Sequence, residues 1–394
     1  MSNREIVVLS GVRTAIGGYG GSLKDFAPSE LAANVMREAI ARAKVAPEDV
    51  GQVVLGHVIH TEAKDMYISR VAAINAGLPQ SVAAFTLNRL CGSGLQAIVS
   101  AAQCIMVGDT DAAVAGGAES MSRGGYMLQN GRWGQRMGNG STIDMMVGAL
   151  TDPFDTMHMG VTAENVAKKW SITREQQDAF ALQSQQRAAH AIAQGYFKSQ
   201  ILPVEIKSKK GSTFYDTDEH VRGETTLDGL AKLKTVFDKE GSVTAGNASG
   251  INDAAAAVVL MERAAAEKKG LKPMARLVSY GHSGVDPKIM GIGPVIAVQQ
   301  ALQRAGLKIS DIDVIESNEA FAAQACAVAK DLGFDPAKVN PNGGAIALGH
   351  PIGATGCILS VKAIYELHRT GKRYALVTMC IGGGQGIAAV YERL

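Results

Sequence analysis

The chain is short of aromatic residues, which make up 5% of its 394 positions and include only two tryptophans. It also lacks a cysteine framework. Cys91, Cys104, Cys326, Cys357 and Cys380 are odd in number and widely spaced, with no CxxC and no Cys/His cluster. That argues against a disulfide scaffold and against structural zinc, so no metal is expected. Net charge is only +2, which implies neither a nucleic-acid nor a membrane surface. No apolar run is read as reaching the roughly 18 residues of a spanning helix. The opening MSNREIVVLSG enters a strand at once without a signal or transit pattern, and the final VYERL carries no peroxisomal tripeptide. These absences together lead us to expect a cytoplasmic protein with reduced thiols.

What the chain does have is glycine, 45 residues, and 46% hydrophobic residues. That balance suits a tightly packed α/β protein with many strand–helix turns. The length exceeds one ordinary core, so two domains or a duplicated unit are expected. EIVVLSG reads as a strand. SELAANVMREAIARAKV reads as an amphipathic helix with Ser29 at its N-cap, and VGQVVLGHVI as the next strand. LQAIVSAAQCIMVG and AAVAGGAES continue the alternation as buried helix and buried strand, implying a largely parallel sheet covered on both faces.

The pattern then recurs. An offset of 262 residues carries Asp49-Val50 onto Asp311-Ile312, the Cys91-Gly-Ser-Gly turn onto Gly353-Ala-Thr-Gly356, and AAVAGGA onto YALVTMC. One offset serving helix, turn and strand predicts two similar halves packed together. The middle matches neither half and contains a helix opened by a Thr173–Gln176 capping box. Residues 1–120 with 246–272 are therefore assigned to the first half, 121–245 to an inserted loop domain, and 273–394 to the second half.

Four stretches hold side chains suited to chemistry. Cys91 opens a Gly-Ser-Gly turn before a helix, where unpaired N–H groups and the helix dipole favour a thiolate. A small buried cysteine fits that motif equally well. NPNGGAIALGHPIGATG carries His350, which the 262-residue offset places on Asn88, three residues before Cys91. A Cys–His pair activates a thiol; the alternative is a histidine that caps a loop. TMCIGGGQG ends a buried strand at Cys380 and suits an oxyanion hole better than a phosphate cradle, although Cys380 alone also reads as core. In ESNEAFAAQA, Asn318 and Glu319 are either helix N-caps, the commoner case, or polar groups at the carboxyl end of a strand, where α/β ligand sites form. Cys104, Cys326 and Cys357 read as core.

Taken in order, NRLCGSGLQA, NEAFA, GGAIALGHPIGATG and CIGGGQG resemble the motifs of the thiolase family, and the resemblance covers the whole chain. Within the family it is similar to the short-chain β-ketothiolases that act as acetyl-CoA acetyltransferases. The resemblance implies a five-layered αβαβα fold built from two duplicated halves, with an inserted loop domain in the first. It implies reversible Claisen condensation of two acetyl-CoA to acetoacetyl-CoA and CoA, with coenzyme A thioesters as substrates and no prosthetic group. By the same resemblance Cys91 is the acylated nucleophile, His350 its base and Cys380 the second acid/base. Asn318 holds a water that forms one oxyanion hole with His350, and the N–H groups of Cys91 and Gly382 form the other.

Coenzyme A contacts implied in this way come from Leu150, His158, Met159, Arg222, Phe237 and Ala245. Gly246, Ser249, Met290, Ala320 and Phe321 complete them. Arg222 would lie beside the nucleotide, or it is a solvated loop charge. His158-Met159 favours the short-chain type, and Met290, lining the acyl pocket, makes five-carbon 3-ketoacyl substrates plausible. Gly229 stands where the family often has serine, so it is not assigned a contact. A homotetramer is implied, with the Met-rich segment 121–146 as its contact loop or, alternatively, a core-packing loop. A degradative 3-ketoacyl-CoA thiolase of broader chain length and a non-catalytic acyl-CoA carrier are the competing readings.

Overall fold

The computed structural model describes residues 4–209 and 211–394. The first half comprises β1 (Ile6–Arg13), α1 (Pro28–Ala43), β2 (Gln52–Gly56), α2 (Ile68–Asn75), β3 (Ala83–Leu87), α3 (Ser93–Val107) and β4 (Ala112–Ser120). After an insertion containing α4 (Met159–Trp170) and α5 (Arg174–Ala193), the chain returns through β5 (Asn252–Glu262). The second half runs β6 (Ala275–Gly284), α6 (Gly293–Ala305), β7 (Val314–Ser317), α7 (Ala322–Leu332), α8 (Ile352–Thr370), β8 (Tyr374–Ile381) and β9 (Gln385–Arg393).

The strands follow one path, β7-β8-β9-β6-β1-β5-β4-β2-β3. It is mixed rather than largely parallel. β2 pairs parallel with β3 and β4, and β7 with β8, while every other pairing along the path is antiparallel. The two halves join where Val7 and Val8 of β1 meet Arg276 and Ala275 of β6. α3 and α8 lie against strands of both halves, and their apolar side chains form a central core. α1 and α2 cover the outer face of the first half-sheet, and α6 covers the outer face of the second. These are the five layers the resemblance implies.

The 262-residue offset holds in space: β2 corresponds to β7, β4 to β8, α1 to α6 and α3 to α8. Three elements depart from it: α2 maps onto 330–337, past most of α7, β1 maps onto 268–275, short of β6, and β3 changes type. The β3 counterpart is a short helix, Ala345–Leu348, between Gly343 (φ +77°) and Gly349 (φ +111°). These left-handed glycines turn the chain away from the sheet, and a single Ile315–Val339 bridge marks the edge position. The released segment carries His350.

Two further expectations change. Ser29 lies inside the first turn of α1 and Ala27 occupies the cap position, because Pro28, with no N–H to satisfy, starts the helix. Leu90–Val107 is in fact long and apolar enough to cross a membrane, with a mean hydropathy of 1.5 over those 18 residues. It is apolar because α3 is the central helix, enclosed by strands and by α8.

The insertion is anchored through a buried ion pair, Arg13 to Asp218 at 2.7 Å, with Gln200 accepting from Arg13 Nε. Thr173 and Gln176 form the expected capping box of α5. The Met-rich segment makes a two-residue hairpin, Tyr126–Met127 with Ile143–Asp144. Its middle is exposed, Trp133 by 86% and Met137 by 94%, while Met121, Met145 and Met146 at its ends pack beside Cys91.

Candidate active site

Cys91 lies on a turn, Leu90–Gly92, that leads directly into α3. Leu90 takes a left-handed φ of +44°, a strained conformation for a branched side chain. The surroundings hold it there. Asn88 Oδ1 accepts the Leu90 N–H at 2.9 Å, and Ser93 Oγ donates to the Leu90 carbonyl at 2.7 Å. Asn88, the counterpart of His350, thus supports the cysteine turn.

Burial pushes the Cys91 thiol up to about 11; the N–H groups of Gly382 and Cys91 oppose this, and the Glu119 carboxyl adds to it. Cys91 keeps part of its surface, yet lost hydration favours the neutral thiol over the thiolate that a helix N-terminus favours. Cys380, at the end of β8, is pushed up by burial and further by Cys91 beside it.

His350 precedes Pro351, the cap residue of α8. Its backbone N–H donates to Asn252 Oδ1 at 2.9 Å. Its Nδ1 lies 2.7 Å from Thr355 Oγ1, whose single proton goes to the Pro351 carbonyl at 3.0 Å. Thr355 therefore accepts, Nδ1 carries the proton, and Nε2 keeps its lone pair. Asn318 Nδ2 lies 3.3 Å from that Nε2. Burial lowers the imidazole to about 4, so His350 is a neutral base near pH 7.

Asn318 and Glu319 are not N-caps, because α7 begins only at Ala322 with Phe321 in the cap position. Asn318 is fully buried, and its Oδ1 has no protein partner. Glu319 instead accepts from Ser184, Asn340 and the Ile346 N–H, holding the segment that leads to His350.

A cavity of about 230 Å³ is lined by Cys91, His350, Cys380 and Gly382. Apolar walls come from Leu150, Met159, Phe237, Met290, Ala320 and Phe321. His158 also faces it. Its Nδ1 accepts from the Gly160 N–H at 3.0 Å, so Nε2 carries the proton, and its ring stacks on Phe237 at 4.7 Å. Ser249, Gly250 and Ile251 line both this cavity and a wider groove of about 890 Å³. That groove takes in Arg222, Ala245 and Gly246, along with Gly229, which the sequence reading left out. All the expected residues thus line this cavity or the adjoining groove except Asn318, which stands behind His350.

Sequence reasoning missed Thr355, Asn252, Glu119 and His57. Thr355 carried a signal in the 262-residue frame, since its counterpart Ser93 supports the cysteine turn as Thr355 supports His350. The other three lie far from the motifs in sequence and are brought close only by strand pairing and by the packing of α8.

Cys357 is buried, whereas Cys104 and Cys326 are only half-buried. Cys326 borders a second apolar cavity away from the cleft, and burial pushes its thiol up to about 12.

Residues 6–264 match the thiolase N-terminal domain and residues 271–393 the thiolase C-terminal domain. The chain is similar to the beta-ketothiolase BktB of Cupriavidus necator, 67% identical over 99% of this chain and 100% of the relative. It is similar in structure to the Bacillus anthracis acetyl-CoA acetyltransferase, with a TM-score of 0.97 and 46% identity over 100% of both chains. Human mitochondrial 3-ketoacyl-CoA thiolase in complex with CoA gives a TM-score of 0.96 and 44% identity over 99% of this chain and 98% of that one.

Proposed function

Because the chain belongs to the thiolase family of acyltransferases, we propose that it condenses two acetyl-CoA to acetoacetyl-CoA and free CoA, and runs the reverse thiolysis. The observation that carries this reading is the convergence of Cys91, Cys380 and His350 on one cavity, with the Gly382 and Cys91 N–H groups at the thiol.

In the first half-reaction the Cys91 sulfur attacks the acetyl carbonyl carbon while its proton passes to His350 Nε2. The N–H groups of Cys91 and Gly382 hold the oxygen as negative charge develops. The carbon–sulfur bond to CoA breaks, and CoA leaves as the thiol with the proton of Cys380. That leaves acetyl-Cys91, a protonated His350 and a Cys380 thiolate. A buried thiolate is a strong base, suited to a weakly acidic C–H.

In the second half-reaction the Cys380 thiolate takes a proton from C2 of a second acetyl-CoA. Protonated His350, with a water held by Asn318, steadies the enolate oxygen. The enolate carbon attacks the acetyl group, the Cys91–acyl bond breaks, and Cys91 recovers its proton from His350. All three groups return to their starting states. Coenzyme A thioesters and free CoA are the substrates and products of the cycle. The adenine end is assigned to the wide groove beside Arg222. A cytoplasmic homotetramer is the assembly proposed, with five-carbon 3-ketoacyl-CoA as a further substrate beside Met290.

Mass spectrometry after mixing with acetyl-CoA tests the assignment. Cys91 is expected to gain one acetyl group, and Cys91→Ser none. Cys380→Ser is expected to keep a single-turnover acyl-enzyme yet lose condensation by at least about 100-fold. Equal loss of both half-reactions would contradict that division of labour. Higher kcat/KM for sixteen-carbon than for four-carbon 3-ketoacyl-CoA would instead favour the degradative, broad-range reading.

A further inference from the structure

His57 lies immediately after β2, with its side chain fully buried between two carboxylates. Its Nδ1 is 2.8 Å from the Ala118 carbonyl and 3.3 Å from Glu119 Oε1. A carbonyl only accepts, so Nδ1 carries a proton. Its Nε2 points toward Asp65 Oδ2 at 3.8 Å and has no hydrogen-bond partner. Asp65 accepts from the Thr61 N–H and hydroxyl and from the Glu62 N–H, which fit it to remain an anion.

Glu119, on β4, is also fully buried. Its Oε2 accepts from the Gly353 N–H at 2.8 Å and the Val58 N–H at 3.2 Å, and its Oε1 from the Ile59 N–H at 3.1 Å. This one carboxylate therefore joins the first turn of α8, which carries Thr355, to the loop after β2. Ile59 and Ile352, beside the bonded N–H groups, belong to the apolar wall against which Cys91 packs. Burial raises the Glu119 carboxyl, while His57 and the N–H groups of Ile59, Gly353 and Val58 favour its charged form; that charge in turn opposes ionisation of the Cys91 thiol.

A buried carboxylate next to a nucleophilic thiol hinders thiolate formation unless a cation balances it. Among the described residues His57 is the ionisable base that meets Glu119. The other titratable groups facing His57 are Asp65, from the Ala63–Tyr67 turn, and His60, stacked on it at 5.3 Å. From α8 the backbone N–H of Gly353 reaches this cluster, on Glu119. Although burial opposes it, the two carboxylates raise the His57 imidazole above its usual range, whereas burial and then His57 lower His60.

We propose that His57 is a positioning residue for the acyl-transfer reaction: as an imidazolium it balances Glu119, keeps the Gly353 turn in place and leaves Cys91 able to ionise. This rests on Cys91 being the acylated thiol. The deciding measurement is independent of turnover, because alkylation reports the thiol whether or not acetyl transfer occurs.

Iodoacetamide alkylation of the full-length enzyme, mapped to the Cys91 peptide from pH 6 to 10, provides that measurement. His57→Asn keeps an N–H donor for Ala118 and removes the charge. In the wild type the logarithm of the rate is expected to bend where the imidazolium loses its proton. His57→Asn is expected to react several-fold more slowly below the bend and equally fast above it, with the bend gone. The double variant His57→Asn/Glu119→Gln is expected to recover the lost rate. A His57→Asn profile that matches the wild type, or falls uniformly at every pH, overturns the proposal; so does a double variant that stays slow. Absence of acetyl transfer to Cys91 with the alkylation pattern intact would overturn the acylation reading and leave the electrostatic link standing.

Discussion

Thr355 decides which nitrogen of His350, the proposed base, keeps its lone pair. Its hydroxyl proton is spent on Pro351, so it can only accept from Nδ1. Thr355→Val leaves that N–H unpaired in a dry site and releases the ring, which costs roughly 1–2 kcal/mol, or about tenfold in rate. The expected result is a fall in kcat with little change in KM for acetyl-CoA, and substantial recovery in Thr355→Ser. Unchanged kcat in Thr355→Val would remove the residue from the mechanism. His350 also links stability to pH. Burial depresses its folded pKa to about 4, below the ordinary imidazole range. The unfolded chain therefore binds the proton first, and stability is lost as pH falls through that window, by roughly 3 kcal/mol in all. Thermal melts from pH 7 to 4 should show a shallower loss in His350→Asn than in the wild type, and parallel curves would refute the link.

At the level of elements, the site depends on the crossing of α3 and α8. Gly94 and Gly356 are counterparts in the 262-residue frame and lie at this contact. A Cβ on Gly94 would stand 2.8 Å from the Cys357 backbone nitrogen, and one on Gly356 would fall inside contact distance of the Leu95 backbone. Neither obstacle is a flexible side chain, so the helices must separate. Gly94→Ala and Gly356→Ala should each destabilise by about 2 kcal/mol or more, whereas Gly125→Ala, with nothing within 4 Å, should stay within about 0.5 kcal/mol. Denaturant unfolding measures all three. The duplicated elements were legible because helix, turn and strand recur at one spacing. The loss of β3's counterpart was not, since it depends on glycine φ values that composition does not reveal.

At the level of the whole molecule, the insertion places an apolar hairpin in the open. Tyr126, Leu128, Trp133 and Met137 are all more than half exposed. A cluster of that kind marks an interaction site, and the proposed occupant is a second copy of the chain. Sedimentation should report a mass near four chains. Deleting residues 128–141 should reduce that mass while leaving the fold's circular dichroism intact. A wild-type chain sedimenting as a monomer would count against the tetramer.

The sequence by itself determined the two-half α/β plan, because buried apolar periodicity and turn glycines are local and repeat at a constant offset. Through the resemblance its motifs carry, it also pointed to the side chains proposed here to carry the chemistry, a thiol, an imidazole and a second thiol at glycine turns. Only the tertiary structure decided their states. Burial shifts Cys91 toward the neutral thiol and His350 toward the neutral imidazole, because packing removes hydration that the turns read alone do not report. It likewise decided that His57, Glu119 and Asn252 stand close behind the site, since strand register and helix crossing bring together groups separated by long stretches of chain.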